Sequence, residues 1–141
     1  MFIQKTNNMK VENVMIELDK FPVLEENLFL KEALDAMNSK RLGIACVVDR
    51  EGLLKGILTD GDIRRKLLKV QKPISAFFVD DCIEHAIISP VVTSPGASLK
   101  SAVELMGEKQ VWDLPVVDDS GKLVGLLHLH QVVKALLKKV D

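Results

Sequence analysis

The hydrophobic positions of the chain form a pattern that predicts two amphipathic helices of the same design. Residues 30–40 place apolar side chains at Leu30, Ala33, Leu34 and Met37, a spacing of i, i+3, i+4 and i+7. This spacing gathers the four side chains on one face of a helix. The same spacing recurs later in the chain and predicts a second helix with a buried face. Its apolar residues are Leu99, Ala102, Val103 and Met106.

Short apolar runs rich in β-branched residues follow both helices and predict buried strands. Each run leads into a four-residue segment that begins with Asp and ends with Gly, which is typical of a hairpin turn. A return strand and a closing helix come next, and a short strand precedes the first helix. Each half of the chain is therefore predicted to fold in the order β-α-β-β-α. The strand runs are 23–24, 44–48 and 53–58, then 91–93, 114–117 and 123–127, and the closing helices are 60–69 and 130–138.

An internal repeat explains why the pattern occurs twice. The string Val47-Val48-Asp49 recurs as Val116-Val117-Asp118, and at this offset of 69 the glycines of both hairpins also coincide. A fixed-period self-similarity indicates two copies of one structural unit. We predict an N-terminal tail at 1–10, a first repeat at 11–70, a connector at 71–81 and a second repeat at 82–139.

Composition and charge exclude several function classes. The 141 residues carry 19 Lys and Arg against 20 Asp and Glu, so the net charge of −1 offers no attraction to nucleic acid or to an anionic membrane. No apolar run approaches the roughly 20 residues of a membrane span. Cys46 and Cys82 both lie in apolar surroundings and suggest no disulfide framework, so we expect a cytoplasmic protein.

The element order and the hairpin motifs resemble the cystathionine-β-synthase (CBS) domain family. The string from Gly56 to Arg65, Leu42-Gly43 after the first helix and the stretch from Leu127 to His130 resemble the CBS pair of bacterial arabinose-5-phosphate isomerases. CBS pairs fused to sugar nucleotidyltransferases are similar in the first string. The resemblance implies an α/β (α+β) fold in which two tandem CBS repeats pack through their sheets with pseudo-twofold symmetry. It also implies a regulatory module without enzymatic activity, because a separate domain does the chemistry in such proteins.

The resemblance assigns a ligand site to the place where the return strand of the first repeat passes into its closing helix. A carboxylate one turn into a helix can accept hydrogen bonds from two ribose hydroxyls, and free helix N–H groups can donate to phosphate. Thr59 would supply the hydroxyl, Asp62 would bind ribose, and Arg64 and Arg65 would neutralise phosphate. The alternatives are a helix cap with a first-turn acid, and two solvated arginines. The partner copy would add Val92, Thr93, Val111 and Trp112, of which Trp112 could instead be core packing.

The second repeat departs from this motif. Thr59 aligns with His128, and Asp62 aligns with Gln131, which brings no charge to a ribose. We therefore predict a second site that is weaker, empty or differently selective. No metal site is expected, because the three histidines lack further ligands, and no catalytic constellation is evident. The second site would comprise Leu42, Gly43, Ile44, His128 and Gln131.

The predicted function is the sensing of a nucleotide-type ligand, with no cofactor required. The ligand would be AMP, ADP, ATP or a CMP-sugar such as CMP-Kdo, and its occupancy would regulate a fused or partner enzyme, a sugar-phosphate isomerase. A small rotation about a hinge near 69–73 would transmit the signal. The alternatives are a structural dimerisation module with a decayed site and the regulatory pair of a sugar nucleotidyltransferase. The sequence leaves open which ligand binds and whether the chain is a complete gene product or a fragment. We also expect a homodimer that uses Leu67, Leu68, Leu136 and Leu137.

Overall fold

The structure is a computed structural model that describes residues 8–138, and these residues form two compact units. The first unit spans Asp19–Pro90. The second unit combines the segment that ends at Leu18 with the chain from Val91 onward.

The first unit contains a four-stranded sheet in the order β1-β2-β3-β4. The first pair of strands is parallel, and the other two pairs are antiparallel. Helices α1 and α2 follow the predicted positions, and a short helix α3 lies in the connector. The elements are β1 Val23–Glu25, α1 Leu30–Lys40, β2 Ile44–Val48, β3 Leu54–Thr59, α2 Asp60–Lys69, α3 Ile74–Phe78 and β4 Ile87–Ile88, with 3₁₀ turns at Leu18–Lys20 and Cys82–His85.

The second unit is built on an antiparallel hairpin of two strands, β5 and β6. The strand predicted at 91–93 is wrong, since only Thr93 makes an isolated parallel bridge, to Val116. Ser98 caps the helix that follows, because its hydroxyl accepts from the Ser101 amide at 3.1 Å. The elements are α4 Leu99–Lys109, β5 Asp113–Val117, β6 Leu123–His128 and α5 Leu129–Leu137, with a 3₁₀ turn at Val11–Asn13.

Each unit buries three of the four positions of the helical stripe that the sequence predicts, and the fourth, Leu34 or Val103, is partly buried. In the first unit Leu30, Ala33 and Met37 of α1 are buried against the sheet. The corresponding residues of α4 form the core of the second unit with Leu114, Val116 and Leu127. The repeat in the sequence is therefore a repeat of two hydrophobic cores. The buried stripe of α4 consists of Leu99, Ala102 and Met106.

The compact units differ from the sequence repeats in their opening segments. Ile16, from the start of the first repeat, bridges Leu126 of β6 in the second unit. Strand β4, from the start of the second repeat, pairs with Gly56 and Ile57 of β3. Each opening segment thus pairs with the return strand of the hairpin that belongs to the other repeat, at one bridge in the second unit and over two residues in the first.

The connector between the repeats is part of the first unit. The ring of Phe77 is buried in that core, and the Lys72 ammonium lies 2.8 Å from the Asp80 carboxylate. The chain passes between the units at Leu18 and at Pro90, rather than at the hinge predicted near 69–73. Among residues 8–138, no helix has the length and apolar character needed to cross a membrane.

Candidate ligand-binding site

A hydrogen-bonded network of three side chains joins the end of β3 to the beginning of α2. The Thr59 hydroxyl accepts from the Asp62 amide at 3.1 Å and donates to one Asp62 carboxylate oxygen at 2.6 Å. The other carboxylate oxygen accepts from Arg65 Nη2 at 2.7 Å. The helix-cap alternative is therefore present in the structure. It does not preclude binding, because an ionised carboxylate offers about four acceptor positions.

The surroundings of Asp62 keep its carboxylate ionised. Partial burial raises the pKa of Asp62, but the hydrogen bonds from Thr59 and Arg65 outweigh burial and hold the pKa below its ordinary value of 3.8. The side chain is 28% exposed, so a solute can reach it. At neutral pH it is therefore an accessible, acceptor-only group, which suits a pair of hydroxyls.

The lowered pKa of Asp62 predicts a pH-dependent stability. The carboxylate stabilises the fold fully above about pH 4, and this contribution is lost as the pH falls through the lowered pKa. Asp62→Asn should therefore lower the free energy of unfolding by a few tenths to about 1 kcal/mol at pH 7, a range limited by the exposed Arg65 partner. Urea unfolding of both proteins at pH 7 and near pH 3 measures the difference. A difference that persists unchanged at pH 3 would contradict the assignment.

The two arginines of α2 differ in their contacts. Arg65 is bound to Asp62 but is more than half exposed, and most of its five donors remain available for phosphate. Arg64 is exposed on the neighbouring position of the helix. Both therefore remain candidates for phosphate contact.

The remaining residues predicted for this site belong to the second unit. The backbone of Thr93 is occupied, since its amide donates to the Pro115 carbonyl at 3.0 Å, while its side chain and that of Val92 are half-buried. Trp112 is 69% exposed and is not part of the core of the second unit. Their joining with Thr59 and Asp62 in one site stays a prediction.

Two pockets occupy the same place in the two units, next to α1 in the first unit and next to α4 in the second. The pocket of the first unit has a volume of about 260 Å³, and the pocket of the second has about 450 Å³. Their lining residues correspond one to one at the repeat offset. The first is lined by Leu34, Met37, Asn38, Arg41, Leu42, Gly43 and Asp60, and the second by Val103, Met106, Gly107, Gln110, Val111, Trp112 and Leu129.

The chemistry of these two pockets differs because six of the seven lining positions carry different residues. Arg41 and Asp60 make the first pocket polar, whereas Leu129 replaces the acid in the second. A Cβ at Gly43 would lie 2.9 Å from a carboxylate oxygen of Asp60, so a larger residue there would displace the Asp60 side chain. Its counterpart is the exposed Trp112. Asp60 is a lining residue that the sequence reasoning missed, although it stands two residues before Asp62 in the same string.

A histidine–aspartate pair takes the place of the threonine cap in the second unit. His128 Nδ1 lies 2.6 Å from Asp113 Oδ1, and the His128 ring makes no capping bond to α5. Burial raises the pKa of Asp113, and the hydrogen bond from His128 offsets part of that effect. Gln131 is half-buried on the first turn. The Ile44 side chain is buried in β2 of the first unit, and its place in this second site stays a prediction.

The side chains of His85, Cys82 and Cys46 belong neither to the Thr59–Asp62 network nor to the Asp113–His128 pair. His85 is buried against Asp80, with 2.8 Å between Nε2 and the carboxylate. Burial raises the pKa of Cys82 to about 11, so its thiol stays protonated at neutral pH. Cys46 is fully buried on β2, as its apolar surroundings predict. Within residues 8–138, no group of three His, Cys, Asp or Glu side chains is placed to hold a metal ion.

Curated relatives resemble nearly the whole of this chain. An uncharacterised protein of Rickettsia prowazekii is 32% identical over 127 residues, which cover 90% of this chain and 38% of that protein. The arabinose 5-phosphate isomerase KdsD of Pseudomonas aeruginosa is 32% identical over 133 residues, with the same two coverages. The chain thus spans little more than a third of the length of these relatives.

Solved structures share the fold of the chain. The crystal structure of CBSX2 in complex with AMP is 28% identical with a TM-score of 0.81, over 92% of this chain and 97% of that one. A CBS domain-containing protein of unknown function from Bacillus anthracis reaches a TM-score of 0.84 at 19% identity, over 98% and 99%. The CBS domain model itself matches residues 11–69 and 83–138. Because these two matches cover most of the chain, it belongs to the CBS domain family and contains two CBS domains in tandem.

Proposed function

We propose that this CBS pair is a non-catalytic regulatory module that binds an anionic nucleotide or nucleotide sugar. The observation that supports this most strongly is the hydrogen-bonded network of the side chains of Thr59, Asp62 and Arg65. It presents an ionised carboxylate for hydroxyls beside exposed guanidinium donors for phosphate. A ribose phosphate carries both complementary groups.

We propose two classes of ligand. Adenosine nucleotides are the first, because CBSX2 was crystallised with AMP. A CMP-sugar of the CMP-Kdo type is the second, because the chain resembles arabinose 5-phosphate isomerases at 27 to 32% identity. The same likeness favours a sugar-phosphate isomerase, fused or separate, as the regulated enzyme.

The geometry of the histidines favours sensing over catalysis. His85 and His128 each pair with an aspartate, which resembles part of a catalytic triad. In the described residues, however, neither ring has a hydrogen bond to a Ser, Thr or Cys nucleophile. We propose no reaction for this chain.

A thermal-shift screen tests the proposed function. AMP, ADP, ATP, CMP and CMP-Kdo are each added to the full chain, and the binding nucleotide at 100 times its Kd should add about 2.7 kcal/mol of stability. The matched control is the double variant Thr59→Ala/Asp62→Ala, which should show no shift. If no nucleotide shifts the wild-type transition, the rival function, a dimerisation module with a decayed site, is favoured.

A homodimer is the proposed assembly, with one correction to the predicted interface. Leu68 and Leu137 are 81% and 71% exposed, and Val133 is also exposed, so these side chains present apolar surface. Leu136 is only 5% exposed and belongs to the core of the second unit, so it cannot serve an interface. The exposed fraction of Leu67 lies between those of Leu136 and Leu68.

Light scattering tests this assembly at tens of micromolar protein. The wild type should have twice the mass of the chain, and Leu137→Glu should shift the mass toward the monomer, because a buried unpaired charge opposes association. Lys134→Glu, which changes charge on the same helix, is the control for a general charge effect. A monomeric wild type would contradict the prediction.

A further inference from the structure

The two compact units differ in how the chain builds them. The first unit is one continuous stretch, Asp19–Pro90, whereas the second combines the segment that ends at Leu18 with the chain from Val91 onward. Residues 8–18, which we call the strap, are therefore joined to the rest of the second unit only through the whole of the first unit. Every contact between the strap and the rest of its unit closes a long loop of chain, and loop closure costs entropy.

Backbone hydrogen bonds hold the strap at two places. Near its start, the Val11 amide donates to the Ala97 carbonyl at 2.9 Å, just before α4. Near its end, Ile16 and Leu126 exchange two amide–carbonyl bonds of 2.7 and 3.0 Å. Gly125 allows this close approach, because a Cβ there would lie 3.0 Å from the Ile16 carbonyl oxygen. The strap therefore pairs with the side of β6 that β5 leaves open.

One side chain of the strap completes the core of the second unit. Val11 has no exposed surface and belongs to the same core as Met106. Met9, Val14 and Met15 are only partly buried against that core. No ion pair within residues 8–138 involves a side chain of the strap. A segment held by so few buried side chains opens at a lower free energy than the strands and helices of a core.

The first unit does not depend on the strap. Strand β4 pairs with Gly56 and Ile57 of β3, and the Cys82 amide donates to the Leu28 carbonyl at 2.7 Å. All of these residues lie within the continuous stretch that forms the first unit. The core of the first unit is therefore complete without residues 8–18.

We infer that the strap is a releasable closure of the second unit, which can open while the first unit stays folded. Release frees the backbone groups of Leu126 on one side of β6, and an unpaired strand edge accepts another extended peptide segment. Release also empties the site of Val11 in the core. Met106, which lines the pocket beside α4, belongs to that core. The edge of β6 and this pocket thus depend on one detachable segment, and the device requires no nucleotide.

Urea unfolding of the full chain, followed by the NMR signals of individual amides, tests this inference. Val11→Ala leaves a cavity in the second unit, so the population in which only this unit is open should rise about 10- to 100-fold. The native signals of Ile16 and Leu126 should then disappear at a lower urea concentration than in the wild type. Those of Leu30 and Cys46, whose amides donate to carbonyls of the first unit, should persist to higher urea. The gap between the two transitions should therefore widen.

Val47→Ala is the matched control, because Val47 is as fully buried in the first unit as Val11 is in the second. This substitution should move the first unit's transition to lower urea and narrow the gap. Glu12→Ala changes an exposed position of the strap and should leave both transitions where they are in the wild type.

Loss of native signals from both units at one urea concentration, in the wild type and in Val11→Ala alike, would overturn the inference, because the chain would then unfold as a whole. If Val11→Ala shows no native signals even without urea, Val14→Ala replaces it, since Val14 is only partly buried and its truncation is milder. Val14→Ala should lower the transition of the second unit alone. An equal shift of both transitions in Val14→Ala would also refute the strap.

Discussion

Leu136→Ala should lower the free energy of unfolding by about 2–5 kcal/mol, whereas Leu137→Ala should change it by less than about 0.5 kcal/mol in the monomer. Leu136 is 5% exposed and packs with Val132 in the core of the second unit, so truncation leaves a cavity. Leu137 is 71% exposed and loses little contact. The two leucines are adjacent, which makes each the control for the other.

Urea unfolding at two protein concentrations measures this difference. The effect of Leu136→Ala should not depend on concentration, because the lost contacts lie within one chain. Any effect of Leu137→Ala should grow with concentration, because it acts through the proposed dimer. Equal effects of the two substitutions would show that α5 is turned differently from the structure.

Asp62→Asn should weaken nucleotide binding by about 10- to 100-fold, and Gln131→Ala should weaken it only a few-fold. The asparagine keeps the shape of the side chain and one acceptor for Arg65, so the substitution isolates the negative charge. A hydrogen bond to a charged group contributes about 1.5–3 kcal/mol. Gln131 occupies the matching position in the second repeat but has no charge to lose.

The comparison is made by calorimetric titration with AMP at pH 7, well below the melting temperature of every variant. Unfolding curves recorded beside the titrations show that each variant is folded. Equal losses at the two positions would contradict the assignment of the charged site to the first repeat.

The helices and hairpins were predictable because each depends on local signals. The stripe from Leu30 to Met37 and the turn from Asp49 to Gly52 are both contained in one short window of sequence. The opening segments were not predictable in the same way. Ile16 bridges Leu126, which lies more than a hundred residues further along the chain, and no periodicity encodes that partner.

In the candidate site, too, the residues that are close in sequence were predictable and those that meet only in the fold were not. Thr59, Asp62 and Arg65 lie within two turns of one helix, so their motif can be recognised in the sequence. Asp113 was missed because its partner, His128, is fifteen residues away and meets it only through the hairpin register. Leu136 was misjudged because Leu-Leu gives no sign of which neighbour faces the core; the buried Val132, one turn earlier, carries that information.

The central claim is that this CBS pair binds a nucleotide. Calorimetric titration of the full wild-type chain, with the nucleotide that gives the largest thermal shift, tests it most directly. We predict saturable binding that Thr59→Ala/Asp62→Ala abolishes while the variant remains folded. Saturable binding that the double variant retains unchanged, or no saturable heat with any of the five nucleotides, would contradict the claim.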